Sequence, residues 1–431
     1  MTSNKKFIFL SVFITIGYVA FFVFSYIAQK ILGFEYPVGS FLFKLNEVFS
    51  DFYDINTMLS NMSPYIEYDS SYPPVALVLA IPFAVLQKYI GMIAYPVMVL
   101  ICVAVIFVFQ FKIIRKHIDQ FSSGMLVAEV SIPLLVTAPF IFMFDRGNYL
   151  LLTITFFYAF VYFYYVKSND VLASVLLAFM IAGKIYPALL LFLFVFDKKW
   201  KNLFLTVGVT IGITLLGFCF FQEGFFANLV AFLGNLFDFA SGSGDEAANV
   251  YFSVGLTALL RFPFVVWNGI KIPEWYPVGY IYIIIAVVLV LWSFWNLRKE
   301  ESSWKKLMIL TVLMVFLTPN SYMYNLTYLL PVMLIFIIKD VSVQKFENYL
   351  YAICFGILNI PKAYYYFSID DKYVDVPTYA IVYSEELGEY VQYDWVFPKD
   401  MISIQVLIDG FILFGIILFY NICMSKKKKR I

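Results

Sequence analysis

The amino-acid sequence predicts an all-α membrane protein that crosses the bilayer many times. Of its 431 residues, 62% are hydrophobic and only 14% are charged, and the mean hydropathy is +0.83. A soluble core could not absorb that much apolar surface. Apolar runs of about 20 residues, the length that spans roughly 30 Å of hydrocarbon, recur along the chain. Residues 1–431 are therefore predicted to form a single integral membrane domain.

The distribution of charge predicts the topology. Clusters of lysine and arginine mark the cytoplasmic side, and keeping every cluster there requires about twelve crossings with both termini in the cytoplasm. The loops left on the other side, 29–74, 222–276 and 362–400, are acidic. We therefore expect a multi-pass plasma-membrane protein whose acidic loops are extracytoplasmic. The basic clusters are Lys5 and Lys6, Lys112 to Lys116, Lys198 to Lys201, Arg298 to Lys306, Lys339 to Lys345 and the tail at 424–431.

Two apolar stretches do not fit as single crossings. Residues 171–196 and 307–338 each begin and end beside basic clusters, so each is predicted to be a pair of short helices that goes out and comes back. Counting the apolar segment 75–88 as a crossing would move a basic cluster outside, so we predict a helix at the outer interface. A second interfacial segment is predicted at 225–240. The single crossings are predicted at 7–28, 91–111, 124–144, 149–166, 203–221, 277–297, 347–361 and 401–422.

The turns of the two helix pairs contain polar residues. They read Gly183-Lys184-Ile185-Tyr186-Pro187 and Thr318-Pro319-Asn320-Ser321-Tyr322-Met323-Tyr324-Asn325. Non-helical backbone inside a membrane protein is tolerated mainly where it lines a cavity. Both turns are therefore predicted to face a site near the outer membrane surface.

The first outer loop, 29–74, concentrates carboxylates beside the membrane. Asp51 and Asp54 lie three residues apart and share a face if this segment is helical. A carboxylate in this place can act as a general base toward a hydroxyl group, although solvated loop acids are the simpler alternative. The only histidine, His117, lies in a cytoplasmic cluster, so an enzyme that acts outside would use a carboxylate as its base.

Three cations lie at or near the predicted outer ends of helices: Lys184, Arg146 and Arg261. Cations at membrane depth are costly and usually mark a site or a pairing partner, and a lipid phosphate would need such partners. The alternatives are snorkelling to the interface for Lys184 and a local ion pair with Asp145 for Arg146.

No cofactor is predicted. The four cysteines have no paired spacing, so we interpret them as packed thiols. The chain has no Gly-rich phosphate loop, and neither a nucleotide nor a nucleic acid is an expected partner. No metal site is predicted, although a divalent ion held by Asp51, Asp54 or Asp69 remains an open alternative.

Five short motifs occur in order along the chain, each at a predicted outer face. They are Asp51-Phe52, Tyr72-Pro73-Pro74, Gly147-Asn148, Lys184-Ile185-Tyr186-Pro187 and Pro319-Asn320-Ser321-Tyr322-Met323-Tyr324. Together they resemble the aspartate loop, Tyr-Pro-Pro signature, Gly-Gln-led helix, Lys-x-Tyr-Pro turn and Pro-x-Ser-Trp-x-His turn of glycosyltransferase family 87, in the GT-C class of membrane glycosyltransferases. The resemblance runs from Asp51 to about Pro331. Tyr322 and Tyr324 depart from it, and the stretch from Ser253 to Arg261 matches loosely.

The resemblance implies a GT-C fold with an extracytoplasmic catalytic loop. It implies inverting transfer of a hexose, by default mannose, from a polyprenyl-phosphate sugar to a lipid-linked or cell-envelope glycan, with membrane lipids as further partners. Asp51 would be the base, and Asp54 its substitute. Lys184, Arg146 and Arg261 would bind the donor phosphate. The substrate-binding residues would be Tyr72, Asn148, Tyr186, Asn320, Tyr322 and Tyr324.

Two other classes of protein remain alternatives. Broken helix pairs also build the midplane sites of transporters, so a lipid or glycan transporter is one. An envelope polysaccharide polymerase or ligase, with a lipid-linked oligosaccharide as its donor, is the other.

Overall fold

The computed structural model describes residues 3–27, 49–117, 135–242, 253–268, 277–338, 345–361, 378–384, 389–395 and 404–427. Within these ranges the chain is mostly helical, as predicted. The helices are α1 Ser3–Tyr26, α2 Ser50–Met58, α3 Pro74–Ile90, α4 Ala94–His117, α5 Ala138–Arg146, α6 Leu150–Val161, α7 Asp170–Gly183, α8 Leu191–Phe196, α9 Trp200–Phe218, α10 Gly224–Gly242, α11 Leu256–Asn268, α12 Val278–Leu297, α13 Ser303–Leu317, α14 Leu329–Ile338, α15 Lys345–Asn359 and α16 Ile404–Lys427. Short 3-10 helices lie at Gly91–Ile93, Tyr186–Leu190 and Met323–Tyr328, and α6 continues as a π-helix at Tyr162–Val166.

One short antiparallel hairpin accompanies the helices. Strand β1, Thr378–Ser384, pairs with β2, Glu389–Trp395, with Thr378 opposite Trp395. Both strands are rich in tyrosine and valine, which favour extended backbone. The hairpin lies inside the predicted loop 362–400. The other residues of that loop fall outside the described residues, as do 28–48 of the first loop, 118–134 and 428–431.

Several helices suit a membrane. Among the described residues, four helical stretches are long and apolar enough to cross one: Pro74–Arg115, Trp200–Phe218, Val278–Leu297 and Ile408–Lys426. Shorter apolar helices accompany them, including those on both sides of the turn at Lys184 and the one that follows Tyr322. The chain is therefore a helical membrane protein, and the number of crossings, about twelve from the charge rule, stays a prediction.

Both predicted helix pairs turn back on themselves. Helix α7 ends at Gly183, and the chain that follows the turn returns to where α7 began, because Lys199 Nζ lies 2.6 Å from Asp170 Oδ1. Helix α13 behaves likewise: after α14, the start of α15 meets the start of α13 through Lys305 Nζ and Glu347 Oε2, 2.7 Å apart. Each pair therefore begins and ends at the same end of the helix bundle.

That end of the bundle carries a network of buried charges. Lys306 Nζ lies 2.6 Å from Asp197 Oδ1, and the Tyr164 hydroxyl donates to the other oxygen of Asp197 at 2.5 Å. The Lys6 ammonium group donates to the carbonyl of Phe336 at 2.9 Å. Basic residues from distant parts of the sequence thus meet at one end of the bundle, while the turns at Lys184 and Tyr322 lie at the other. We call these the basic end and the turn end.

Helix α3, which covers the predicted interfacial segment 75–88, does not run from one end to the other. Its first residue, Pro74, lies against Gly217 near the end of α9. Near its C-terminus, Gln87 accepts a hydrogen bond from Asn56 on α2. After Gly91, in a left-handed conformation (φ 57°), α4 starts at the same turn end and proceeds to the basic end. A position at the membrane surface stays a prediction for α3.

The hairpin of α13 and α14 forms the centre of the core. Every residue from Trp304 to Phe316 is buried, as is every residue from Leu329 to Ile338. By contrast, α12 exposes Ile284 and Leu291, each more than 60% exposed. Such a face is compatible with lipid and not with water, so α12 lies on the periphery.

Breaking the ion pair of Lys305 and Glu347 should destabilise the protein strongly. Both side chains are about 5% exposed (4% and 5%), and Lys305→Met would leave a buried carboxylate without its cation, at a cost of about 3–5 kcal/mol. The matched control is Lys199→Met, because the side chains of its pair with Asp170 are 30% and 35% exposed and such pairs contribute only about 0–1 kcal/mol. Thermal unfolding in detergent measures both. Equal shifts in Tm would contradict this ranking.

Candidate active site

Asp51 lies in the first turn of α2, at the turn end of the bundle. Phe49, the residue before the helix, has a left-handed backbone (φ 62°). An acidic side chain in the first helical turn interacts favourably with the exposed N–H groups and the dipole of the helix. The condition under which Asp51 and Asp54 share a face, a helical segment in this part of loop 29–74, is therefore met.

A sharp corner between α5 and α6 approaches the start of α2. Gly147 ends α5 with a left-handed backbone (φ 70°), and Phe49 N–H donates to the carbonyl of Asp145 at 2.8 Å. A Cβ atom on Gly147 would lie 2.6 Å from Cα of Phe49. Only glycine combines this conformation with so close a contact.

The corner presents two side chains to the carboxylate of Asp51. Arg146 Nη2 donates to Oδ1 at 2.9 Å, and Asn148 Nδ2 donates to Oδ2 at 2.6 Å. The amide of Asn148 is itself oriented, because its Oδ1 accepts the Leu150 N–H at 2.8 Å. Arg146, for which a local pair with Asp145 was the alternative, pairs with Asp51.

Aromatic packing holds α2 in this position. The ring of Phe52 stacks on Tyr149 with centroids 5.4 Å apart. The Tyr149 hydroxyl donates to Asn56 Oδ1 at 2.8 Å, and both Tyr149 and Asn56 are buried. Helix α2 is therefore fixed one turn beyond Asp51 as well as before it.

Lys184 reaches the same place from the first helix pair. It caps the C-terminus of α7 in an extended conformation, and its ammonium nitrogen lies 5.5 Å from the centroid of the Tyr72 ring. Burial in this turn lowers the pKa of Lys184, and the charge of Asp51 acts in the opposite direction. Burial, with the charges of Asp51 and Asp54, raises the pKa of Tyr72, so its phenol is a hydrogen-bond donor rather than a base.

The second turn adds a wall of aromatic rings. Tyr322 and Tyr324 have ring centroids 5.6 Å apart, and Phe142 of α5 stacks on Tyr324 at 6.0 Å. Tyr186 links the two turns, because its hydroxyl donates to Asn325 Oδ1 at 2.9 Å.

A segment before α11 supports the second turn from behind. Val254 N–H donates to the carbonyl of Ser321 at 2.6 Å, and Ser253 forms a bridge with Tyr322. Gly255 passes so close that a Cβ atom would lie 2.8 Å from the carbonyl oxygen of Thr318. The backbone of the turn that carries Asn320 and Tyr322 is thus held by a strand-like contact.

Two predicted site residues lie less centrally. Asp54 is exposed, one turn beyond Asp51, yet near enough to act electrostatically on Tyr72. Arg261 is buried on α11, six residues after the contact at Gly255, and its role as a phosphate ligand stays a prediction. Among the described residues, no group of three His, Cys, Asp or Glu side chains could hold a metal ion, and metal dependence stays untested.

Sequence reasoning missed three residues that shape this site: Phe142, Asn325 and Tyr65. Phe142 lies in an apolar run where nothing distinguishes it from a lipid-facing residue. Asn325 belongs to the second turn, and a polar side chain between two apolar helices was a usable signal. The Tyr65 hydroxyl donates to the carbonyl of Tyr72 at 3.1 Å, a contact that no local pattern predicts.

Taken together, the turn end gathers groups of three kinds. Asp51 supplies a carboxylate, Lys184 and Arg146 supply positive charge, and the tyrosines supply flat apolar faces with hydroxyl groups. A carboxylate can accept a proton from a substrate hydroxyl, cations stabilise a phosphate that leaves with increased negative charge, and aromatic faces suit the apolar side of a sugar ring. The arrangement therefore suits transfer of a sugar from a phosphate.

Replacing Gly147 by alanine should destabilise the site more than the same change at a matched position. Gly147→Ala adds a clash with Phe49 to the strain of a left-handed backbone, which alone costs about 1–2 kcal/mol. At Gly208, in the middle of α9, nothing lies within 4 Å of the added Cβ, and alanine favours a helix. Gly208→Ala should therefore cause no loss of stability, and Gly147→Ala a clear one. Tm values in the same detergent compare the two, and equal Tm values would show that the corner yields to the added methyl group.

Comparison with known proteins agrees with this chemistry. No curated protein matched the chain significantly. The profile of glycosyltransferase family 87 matches residues 71–319, more than half of the chain. The matched region includes the turn at Lys184 and ends at Pro319, at the beginning of the second turn. This match favours an enzyme over a transporter. A helical membrane protein whose turn end brings a carboxylate, two cations and a tyrosine wall together, and whose sequence matches this profile, belongs to glycosyltransferase family 87.

Proposed function

We propose that this glycosyltransferase transfers a hexose, with mannose the first sugar to test, from a polyprenyl-phosphate donor to a lipid-linked or cell-envelope glycan. The observation that carries the proposal is the double hydrogen bond to Asp51 from Arg146 and Asn148, beside the ammonium group of Lys184. When a hydroxyl group attacks a sugar phosphate directly, it needs a base to accept its proton and a nearby cation to bind the phosphate.

In the proposed reaction Asp51 is the catalytic base. Its carboxylate accepts the proton of the acceptor hydroxyl while that oxygen forms a bond to the anomeric carbon. The bond from the anomeric carbon to the phosphate oxygen breaks in the same displacement, which inverts the configuration through an oxocarbenium-like transition state. Arg146 and Asn148 each donate to one carboxylate oxygen, which fixes the orientation of the carboxylate and leaves further lone pairs on both oxygens to accept the proton.

Positive charge is needed on the leaving-group side. The polyprenyl phosphate gains negative charge as the glycosidic bond breaks and requires no strong general acid. Lys184 is the best placed cation for it, because Tyr72 holds its ammonium group in the same site as Asp51. Arg146 has further N–H donors beyond those used on Asp51, and Arg261 is the third candidate.

The tyrosine wall fits the sugar and the neighbouring phosphate. Tyr322 and Tyr324 form one side of the site together with Phe142, and Tyr72 and Tyr186 border Lys184. Their hydroxyl groups can donate hydrogen bonds to sugar or phosphate oxygens. Asn320 and Asn148 add amide groups at the two edges.

The proposed location is the plasma membrane, with both termini cytoplasmic and the turn end extracytoplasmic. The gathering of lysines at the basic end supports this orientation, because basic residues face the cytoplasm. The exposed apolar faces of α12 and α10 support contact of both helices with lipid. The catalytic groups would then lie where a lipid-borne donor presents its head group.

Asp51→Asn should abolish transfer. The amide keeps the shape of the side chain but cannot accept the acceptor proton, and loss of a general base typically costs about 10²–10⁴ in rate. The assay measures transfer of radiolabelled sugar from synthetic polyprenyl-phosphate sugars to endogenous lipid acceptors in membranes with equal amounts of folded protein.

The matched control is Asp54→Asn, three residues away on the same helix. We expect it to retain most of the activity, because Asp54 is exposed and Asp51 is the carboxylate held by Arg146 and Asn148. If Asp54→Asn is inactive and Asp51→Asn is active, the two roles are reversed. If the wild type transfers no hexose from any such donor, the donor class is wrong.

Lys184→Arg should move the alkaline limit of activity to higher pH. The phosphate requires the ammonium form, which is present below the pKa of Lys184 and lost as pH rises through it. Since burial lowers that pKa, wild-type activity should decline before the pH of an ordinary lysine, and arginine stays charged throughout. Lys184→Gln should lose about 10²–10³ in rate at every pH.

The pH profile of donor turnover measures this effect, with Lys201→Arg, an exposed lysine at the basic end, as the control. Identical alkaline limits in wild type and Lys184→Arg would remove Lys184 from the donor site.

A further inference from the structure

The contact of Tyr72 with Lys184 depends on the loop before α3, because that loop determines where Tyr72 lies. The loop from Leu59 to Pro73 lies between α2 and α3, outside any regular helix. Within it, Tyr72 N–H donates to Ser70 Oγ at 3.2 Å, and the Tyr72 carbonyl accepts the hydroxyl of Tyr65 at 3.1 Å. Two side chains, Ser70 and Tyr65, thus tie the backbone of Tyr72 to the rest of the loop.

The ring of Tyr65 is a fixed point. It is fully buried among three phenylalanine rings, at centroid distances of 5.6 Å from Phe218, 5.4 Å from Phe221 and 5.6 Å from Phe232. These rings belong to the end of α9, the following turn and α10. The hydroxyl at the tip of so enclosed a ring has one well-defined position.

Helix α10 also grips the backbone of the loop. Asn235 Nδ2 donates to the carbonyl of Tyr65 at 2.8 Å and to that of Ser70 at 3.3 Å. In the turn before α10, Gln222 N–H donates to the carbonyl of Met62 at 2.9 Å. The loop is therefore fastened at three backbone carbonyls, two of them by α10 and one by the turn before it.

The opposite face of α10 is apolar. Phe226, Val230, Leu233 and Phe237 follow one another along one side of the helix and are 79%, 69%, 55% and 73% exposed. An exposed stripe of this kind at the end of a membrane helix is suited to the bilayer. Helix α10 is thereby placed between lipid and the loop.

We propose that Tyr65 is a positioning residue for the donor site: its hydroxyl, in a ring clamped by α9 and α10, holds Tyr72 against the ammonium group of Lys184. The role of Lys184 as the ligand of the donor phosphate rests on the proposed function. The effect of Tyr65 on the positions of Tyr72 and Lys184 is independent of it. Without the hydroxyl, the Tyr72 carbonyl loses its partner, the turn before Pro73 moves away, and Lys184, which is half-buried in the structure, becomes more accessible to water.

The first experiment measures access to Lys184 directly. Tyr65→Phe removes one oxygen atom and keeps the ring in its place. The matched control is Tyr165→Phe, because the Tyr165 hydroxyl also donates to a backbone carbonyl, that of Ser303, at 3.2 Å but at the basic end. The rate of acylation of Lys184 in the intact protein, relative to the exposed Lys201, is followed by mass spectrometry of its peptide.

We expect Tyr65→Phe to increase the acylation rate of Lys184 about fivefold, the effect of one lost hydrogen bond, and Tyr165→Phe to leave it unchanged. Asn235→Asp, which replaces the donor to two carbonyls by an acceptor of the same shape, should increase it at least as much. Unchanged protection of Lys184 in both Tyr65→Phe and Asn235→Asp would overturn the proposal.

Kinetics separate this inference from the proposed function. With an active wild type, Tyr65→Phe should raise KM for the polyprenyl-phosphate donor severalfold and leave KM for the acceptor unchanged, whereas mere loss of folded protein would lower the apparent kcat alone. A change in Lys184 acylation without any transfer activity in the wild type supports the positioning role and refutes the donor class. A change in donor KM equal to that of Tyr165→Phe refutes the positioning role.

Discussion

A close approach between two backbones, at Gly147 and Phe49, holds the candidate site together. Both residues have left-handed conformations, and each ends or begins a helix. Because no Cβ atom separates them, the corner between α5 and α6 can present Arg146 and Asn148 to Asp51 at hydrogen-bond distance. A carboxylate in a flexible loop would exchange these partners for water, whereas here its orientation is set before any substrate binds. This preorganisation is what gives a general base its effect.

The opposite end of the bundle shows how the two turns come together. The pairs of Lys199 with Asp170 and of Lys305 with Glu347 lie where the chain that returns from each broken helix pair meets its beginning. Of the two, the buried pair of Lys305 with Glu347 is the one expected to stabilise the fold. Because both helix pairs begin and end at the basic end, their polar turns lie side by side at the turn end, where Arg146 and Lys184 lie near Asp51.

Two tyrosines depart from the Pro-x-Ser-Trp-x-His motif that the second turn resembles. Tyr322 and Tyr324 stand where that motif has tryptophan and histidine. The only histidine of the chain, His117, lies at the end of α4, at the basic end of the bundle. In the proposed reaction, proton transfer is therefore assigned to the carboxylate of Asp51. The phenols add hydrogen-bond donors and flat faces, and Tyr186 and Asn325 connect the two turns so that the aromatic wall and Lys184 share one framework.

The sequence by itself determined the membrane class, the helix breaks and the residue types of the site. Apolar length and clustered charge are local properties, and a polar turn inside an apolar run is visible without any tertiary contact, so the turns at Lys184 and Tyr322 and the acid at Asp51 could be predicted. Only the tertiary structure decided which groups meet. The pairing of Arg146 with Asp51 and the hydrogen bond from Tyr65 to Tyr72 depend on helix packing and on rings from distant segments. No local sequence pattern indicates which of several possible neighbours that packing brings into contact.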